Sequence, residues 1–341
     1  MARARARQQR LTKPSGSLGR LEEVSIRLAG MTGRLDPPLH AAAVFTLAAD
    51  HGVTAEGVSA YPREVTAQMV QNFLRGGAAI NVLARHVGAR VVVADIGVDA
   101  DIAPHPSLRA VKVRRGTDNI ARGPALTVLQ AEEAIEVGRR LVRTEVAAGL
   151  DVALTGDMGI GNTTASAAVI CALTGLPPDL VVGRGTGIDD EGLARKREVV
   201  ARALQVNGQA LAGDPVVTLA AVGGLEIAGL AGVMLEAAGL RRPVIIDGFV
   251  SGAAALVARA IDAEVAGYVI ASHRSQELGH GAALAELGLT PLLDLDMRLG
   301  EGTGAALALP LVRAAARLLN EMATFDEAGV SDREIMVRTT E

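Results

Sequence analysis

The chain has 341 residues, a formal net charge of −4 and a single cysteine, Cys171. This charge, without any long basic stripe, argues against a nucleic-acid partner, and one cysteine rules out an intrachain disulfide and a cysteine-based metal cluster. Apolar residues make up 49% of the chain but aromatic residues only 2%, so we expect Ala, Val and Leu to form a tightly packed core.

The chain shows neither secretory nor membrane-spanning signals. Its Arg-rich start, Met1–Arg10, lacks the apolar segment of a signal peptide. The longest apolar stretch, Leu219–Leu240, contains Glu226 and Glu236 and so falls short of the roughly 18 uninterrupted apolar residues of a spanning helix. We therefore expect a soluble, cytoplasmic protein with no membrane partner.

Short runs rich in β-forming residues recur along the chain and are separated by Ala-rich helical patterns. Continuous apolar runs of this kind are typical of strands buried on both faces of a parallel sheet. The predicted fold class is therefore α/β, with a doubly wound, mainly parallel, Rossmann-like sheet. The predicted strands are Ala43–Ala49, Arg90–Ala94, Asp151–Thr155, Pro215–Ala221, Pro243–Ile246 and Gly267–Ala271.

The two ends of the chain differ from this pattern. Leu18–Thr32 and Leu307–Ala323 have helical patterns without neighbouring strands. We expect residues 1–35 and 305–341 to form a small helical domain beside a large α/β catalytic domain of residues 36–304.

Polar or Gly residues follow each predicted strand. In an open α/β sheet, ligands bind outside the carboxyl ends of the strands, so the convergence of these residues predicts a site, although each alone could be an ordinary turn residue. They are Asp50-His51, Asp95, Gly156-Asp157, Gly223-Gly224, Asp247-Gly248 and Ser272-His273.

The Gly-rich loop Gly156–Thr164 lies between a predicted strand and a predicted helix, Ala165–Leu173. Such a loop presents backbone N–H groups and a helix N-terminus to an anion. The loop resembles a P-loop, but Asn162 stands where that motif requires Lys. The dinucleotide-binding pattern GxGxxG begins with Gly159 and Gly161 but fails at its third glycine, where the chain has Thr164. We interpret it as a site for a monophosphate; a purely structural turn is the alternative.

Two further Gly-rich stretches precede helical patterns. Gly183–Gly187 leads into a charged helix that contains Lys196, a residue suited to phosphate but, on spacing alone, more often solvated. In Asp296–Gly304, Glu301 lies between two glycines at a helix entrance. A partly shielded carboxylate there is expected to have a raised pKa and to act as a general base; helix capping is the structural alternative.

The sequence gives little support for metal-dependent catalysis or for covalent catalysis by Ser or Cys. The histidines show no metal-ligand spacing of the HxH or HExxH kind, and Gly248–Gly252 lacks the serine position of a GxSxG elbow. We expect no metal, no cofactor and no covalent Ser or Cys catalysis; a Mg²⁺ ion bound by carboxylates is the alternative that stays open.

Several ordered motifs together resemble one family, the nicotinate-nucleotide:dimethylbenzimidazole phosphoribosyltransferases of cobalamin synthesis. The resemblance runs almost from end to end. Its motifs are Leu11–Glu22, Ala49–Phe73, Gly156–Thr164, Gly183–Asp189, Ile246–Ser251, Ala271–His280 and Asp296–Ala305.

The resemblance implies transfer of phosphoribose from nicotinate mononucleotide to 5,6-dimethylbenzimidazole, with inversion at C1′. Glu301 matches the residue to which the family assigns the proton, and Asp157 is the candidate for electrostatic support, although many relatives carry Glu there. The implied base-binding residues are Tyr61, Gln68, Met69 and Leu299. The implied phosphoribosyl-binding residues are Gly156, Gly159, Ile160, Gly161, Asn162, Thr163, Thr164, Gly185, Lys196 and Ser272.

The resemblance also implies a homodimer. Two alternatives stay open at this point: the same transfer to a different lower-ligand base, and a non-catalytic nucleotide-binding regulator, which would not need Glu301. A dinucleotide oxidoreductase is disfavoured by the missing fingerprint.

Overall fold

The structure, a computed structural model, describes residues 1–211 and 213–331. Over these residues the strands are β1 (Ala42–Ala49), β2 (Ala89–Gly97), β3 (Leu108–Ala110), β4 (Val152–Met158), β5 (Val244–Ile246) and β6 (Val269–Ala271). The α-helices are α1 (Ala2–Arg10), α2 (Arg20–Thr32), α3 (Val65–Arg75), α4 (Ala79–Val87), α5 (Val128–Ala147), α6 (Asn162–Thr174), α7 (Pro178–Val181), α8 (Asp190–Val206), α9 (Pro215–Val222), α10 (Leu225–Gly239), α11 (Phe249–Ile261), α12 (His280–Leu287), α13 (Thr303–Glu321) and α14 (Phe325–Ala328). Short 3-10 turns lie at Gly52–Glu56, Gly208–Leu211 and Ala263–Tyr268.

The chain divides into two compact units. The smaller consists of Met1–Leu39 and the described residues from Leu309 onward, and the larger of His40–Ala308. The boundaries expected from the sequence lay at residues 35/36 and 304/305. In the smaller unit, Leu11 forms an antiparallel bridge with Thr324, so the two ends of the chain are joined by backbone hydrogen bonds.

The larger unit is built on a six-stranded sheet with the order β3-β2-β1-β4-β5-β6, in which every pairing is parallel. All residues of the central strand β1 are buried, which requires layers on both faces of the sheet. The predicted α/β class with a doubly wound parallel sheet is confirmed.

Two strand assignments differ from the prediction. Pro215–Ala221, predicted as a strand, lies in helix α9: the Asp214 carboxylate accepts hydrogen bonds from the backbone N–H groups of Val216 and Val217. An Asp at the N-cap followed by Pro in the first helical position starts a helix, and these local signals outweigh the β-branched composition. Strand β3 was not predicted, because its three residues at the sheet edge carry no apolar run.

Helices α5 and α10 pack with their backbones in contact. A Cβ atom added to Gly138 would lie 1.9 Å from Gly229 O, and one added to Gly232 would lie 1.9 Å from Ile135 O. Glycine at these positions allows the close approach of the two helices. Within the described residues, no helix combines the length and apolarity needed to cross a bilayer.

Candidate active site

A pocket of about 330 Å³ lies at the carboxyl edge of the sheet. It is lined by Asp157 and Met158 from β4, by Gly248 after β5 and by His273 after β6. The predicted convergence of strand ends is thus observed for these strands. Gly224 also reaches this edge, although it follows a helix: a Cβ added to it would lie 2.4 Å from His51 Cε1.

The loop after β4 forms one wall of the pocket and leads into α6. Gly161 is the N-cap of α6 with φ 95°, a left-handed conformation that glycine adopts readily. Asn162 and Thr163, the first residues of the helix, face the pocket. Among the predicted phosphoribosyl-binding residues, those that line the pocket are Gly159, Ile160, Asn162, Thr163 and Gly185.

The other predicted phosphoribosyl-binding residues lie behind this lining. Gly156 packs against the Glu301 backbone: a Cβ on it would lie 2.3 Å from Glu301 O. Ser272 Oγ donates to Asp247 O at 3.2 Å, and Thr164 is fully buried. With Gly161 and Lys196, they support the loops that border the pocket.

Lys196 is a buried cation beside the α6 N-terminus. Its side chain is 1% exposed, and its Nζ donates to Thr163 Oγ1 at 2.8 Å. Burial lowers the pKa of Lys196 to about 8, opposed by the negative charge of Glu277. The interpretation as a solvated surface lysine is therefore wrong.

Glu301 occupies an unusual backbone conformation. Its φ is 63°, between Gly300 at 86° and Gly302 at 97°. A non-glycine residue in this region costs about 1–2 kcal/mol, so the conformation must be held by its surroundings. Glu301 N donates to Asp157 O at 3.2 Å, and Thr46 Oγ1 donates to Glu301 O at 3.1 Å.

The Glu301 carboxylate is shielded from solvent. The residue is 5% exposed, and its Oε2 accepts a hydrogen bond of 3.2 Å from the backbone N–H of Ile80 in the first turn of α4. Burial raises the pKa of Glu301, while the Ile80 N–H opposes the rise. Glu301 thus also caps a helix, which was the structural alternative. The helix that it caps is α4 and not α13, which follows Glu301 in the chain.

Asp247 holds the turn that carries Glu301. Its Oδ1 accepts from Gly304 N at 2.7 Å and from Ala305 N at 3.2 Å, and its Oδ2 accepts from Gly302 N at 3.1 Å. These donors are at the start of α13, so a carboxylate from the end of β5 caps that helix from across the fold. Burial raises the pKa of Asp247 to about 7, and the three backbone donors act against it.

Asp157 borders the pocket within this group of acids. Its Oδ2 accepts from Asn162 Nδ2 at 2.8 Å. Burial is the largest cause that raises the pKa of Asp157 well above its ordinary value; the charges of Asp247, Glu226 and Glu301 add to it, and the Asn162 hydrogen bond opposes it. The surroundings of Asp157 therefore disfavour its charged form relative to an ordinary aspartate.

A fourth buried acid, Glu226, was not recognised as a site residue from the sequence. Its Oε1 lies 2.7 Å from His51 Nε2, and both side chains are almost completely buried. The signal was a carboxylate inside the apolar segment Leu219–Leu240, which demands a partner. Within the described parts of the chain, no three His, Cys, Asp or Glu side chains converge closely enough to hold a metal ion.

Of the four residues predicted to bind the acceptor base, two line the pocket and two do not belong to its described lining. Tyr61 and Leu299 line the pocket, and both are more than half exposed. Gln68 is exposed and Met69 half-buried on α3, and neither belongs to the lining that the described residues form. Arg298, which sequence reasoning missed, also borders the pocket and donates from Nη1 to Gly185 O at 3.0 Å.

Comparison with known proteins adds to this geometry. A family model described as "Phosphoribosyltransferase" matches residues 1–330. The nicotinate-nucleotide–dimethylbenzimidazole phosphoribosyltransferases of Chloroflexus aggregans and Geobacter sulfurreducens are 59% and 56% identical to the chain, over 97% of its length and 94% of theirs. A crystal structure of the protein of that name from Thermus thermophilus has a TM-score of 0.93 at 52% identity, and the match covers 97% of this chain and 98% of that one.

Proposed function

The chain belongs to the nicotinate-nucleotide–dimethylbenzimidazole phosphoribosyltransferase family, and from that premise we propose a reaction in which Glu301 acts as the base. The enzyme transfers phosphoribose from nicotinate mononucleotide to 5,6-dimethylbenzimidazole, giving α-ribazole 5′-phosphate and nicotinate for the nucleotide loop of cobalamin. The observation that carries the role of Glu301 is its buried carboxylate, held in a strained turn directly after Gly300. Gly300 lines the pocket, and Glu301 lies behind the lining that the described residues form.

The bond changes need only one base. One ring nitrogen of dimethylbenzimidazole attacks C1′ from the face opposite nicotinate, the C1′–N bond to the pyridinium breaks, and its electron pair returns to the pyridine nitrogen. Nicotinate thus leaves with a neutral ring and needs no general acid. The N–H proton on the other benzimidazole nitrogen passes to Glu301, whose raised pKa makes it a stronger base than an ordinary glutamate.

The remaining roles follow from position. Thr163 and Gly185 in the lining, with Lys196 behind them, are proposed to hold the phosphate at the α6 N-terminus. Asp157 is proposed to stabilise positive charge that develops at C1′. Tyr61 and Leu299 are proposed to contact the acceptor base, since both line the pocket with exposed apolar surface.

We also propose that the enzyme acts as a cytoplasmic homodimer, as family membership implies. Light scattering of the purified chain measures its mass directly. A monomer at the concentrations of the assay contradicts this part of the proposal.

The experiment supplies purified protein with nicotinate mononucleotide and dimethylbenzimidazole and measures free nicotinate. We expect Glu301→Gln to lower kcat by roughly 10²–10⁴, the usual contribution of a positioned base, with little change in mononucleotide affinity. Glu191→Gln, an exposed acid of α8, is the matched control and should retain wild-type turnover. Near-wild-type kcat in Glu301→Gln refutes the assignment of the base, while nucleotide binding without any release of nicotinate favours the regulator alternative.

A further inference from the structure

Glu277 is a buried acid that borders the pocket and has no role in the mechanism above. It lies in the loop between β6 and α12, it is 6% exposed, and it contributes to the pocket lining. Its Oε2 has no hydrogen-bond partner, and its backbone N–H donates to Ser275 Oγ at 3.3 Å. Among the described residues, neither a hydrogen-bond donor nor an ion-pair partner contacts the Glu277 carboxylate.

An acid in this position requires a donor. Burying a carboxylate without hydrogen bonds is strongly unfavourable, and buried polar groups in folded proteins are nearly always paired. The nearby cation does not supply the bond, because Lys196 Nζ donates to Thr163 instead. The pocket is the side from which a donor can arrive.

The loop Gly183–Gly187 lies close to the Glu277 carboxylate. A Cβ added to Gly183 would lie 2.3 Å from Glu277 Oε2, so any larger residue at position 183 would displace the acid. A Cβ added to Gly185, two residues later, would lie 2.9 Å from Lys196 Nζ. The loop Gly183–Gly187 therefore brings its backbone close to an anion and to a cation side by side.

Glu277 and Lys196 carry opposite charges, so they favour different parts of a bound nucleotide. An ionised carboxylate only accepts hydrogen bonds and repels phosphate, whereas Lys196 and the α6 N-terminus attract phosphate. A hydroxyl-bearing group joined to that phosphate would meet Glu277. A carboxylate that accepts from a ribose hydroxyl is a known arrangement in dinucleotide sites, and ribose is the part of a mononucleotide that carries free hydroxyls.

We propose that Glu277 binds the ribose of the mononucleotide substrate by accepting hydrogen bonds from its 2′-hydroxyl, its 3′-hydroxyl or both. This inference rests on the proposed function, because it assigns a residue to the nucleotide of that reaction. Glu277 would orient the sugar so that C1′ points toward the acids at the end of β4 and the start of α13.

The test compares nicotinate mononucleotide with its 2′-deoxy and 3′-deoxy analogues in wild type, Glu277→Gln, Glu277→Ala and the surface control Glu191→Gln. Binding of each nucleotide is measured by calorimetry, and kcat/KM is measured with dimethylbenzimidazole. We expect the wild type to favour the ribonucleotide over at least one analogue by about 10- to 100-fold, the value of a hydrogen bond to a charged group. That preference should weaken in Glu277→Gln, approach unity in Glu277→Ala and persist in Glu191→Gln.

Two results overturn the inference: a wild type that does not distinguish the nucleotides, or Glu277 variants that keep the full preference. The first needs no variant, so this refutation can be obtained even if both Glu277 variants fail to fold. If the wild type releases no nicotinate, the proposed function fails, yet the calorimetric preferences still report on Glu277. If turnover is normal and the preference survives in the variants, only the role of Glu277 is refuted.

Discussion

Replacing Asp247 with Asn should separate the positioning of Glu301 from its chemistry. In the wild type, Oδ1 accepts from Gly304 N and Ala305 N while Oδ2 accepts from Gly302 N. The amide oxygen of Asn can retain the first two bonds, but its NH₂ group would face the N–H of Gly302 as a second donor. An unsatisfied buried donor costs about 1–3 kcal/mol, so we expect a loss of that size in unfolding free energy.

The same substitution should also lower the rate. Gly302 follows Glu301 directly, and a small displacement of a catalytic group can cost about 10²-fold; we expect kcat to fall by about 10- to 100-fold. Stability is measured by urea unfolding and kcat by nicotinate release, both at pH 8, where Asp247, with a pKa of about 7, is ionised. Asp247 would then differ from Asn in charge as well as in hydrogen bonding.

Asp214→Asn is the matched control, because Asp214 caps α9 through Val216 N and Val217 N and Asn is an equally good N-cap residue. It should leave both quantities nearly unchanged. If Asp247→Asn is destabilised while kcat stays at the wild-type value, Asp247 caps α13 without positioning Glu301. If Asp247→Asn is as stable as wild type, the reasoning from its three hydrogen bonds is wrong.

Two further predictions concern the substrate and the pH. Lys196→Ala should weaken binding of nicotinate mononucleotide by about 10- to 100-fold and leave dimethylbenzimidazole affinity nearly unchanged in calorimetric titrations; a loss confined to the base would contradict the phosphate placement. Because burial raises the pKa of Glu301 and the base works only when ionised, kcat should fall as the pH drops through a value above the ordinary 4.5 of Glu. A pH–rate profile without such a limb would contradict the role of Glu301.

The sequence predicted the parts of the site that depend on local pattern. The loop Gly156–Thr164 could be recognised because a strand, glycines and a helix follow one another directly. Glu301 could be recognised because two glycines flank one acid, and these glycines accompany the positive φ that the turn needs. The α/β class followed from the buried runs, since strands such as β1 must be apolar on both faces.

What the sequence could not predict depends on contacts between distant residues. The bonds from Asp247 to α13 join residues 55 to 58 positions apart, and His51 and Glu226 are 175 positions apart. No local pattern indicates either pair. The strand predicted at Pro215–Ala221 failed for another reason: its β-branched residues also fit a helix, and Asp214 with Pro215 starts one.

The buried acids around the pocket bear on how Asp157 can assist the reaction. Burial and the neighbouring acids raise the pKa of Asp157 well above the ordinary value, so its ionised form is disfavoured relative to that of an ordinary aspartate. Nicotinate mononucleotide brings a positive pyridinium ring, and that charge favours the ionised carboxylate. The charge is present before the reaction starts, so attraction to the ring alone would stabilise the substrate as much as the transition state. Asp157 therefore accelerates the transfer only if it stabilises the transition state more than the bound substrate. This requires its carboxylate to lie nearer to C1′, where positive charge develops, than to the pyridinium ring, where positive charge is lost.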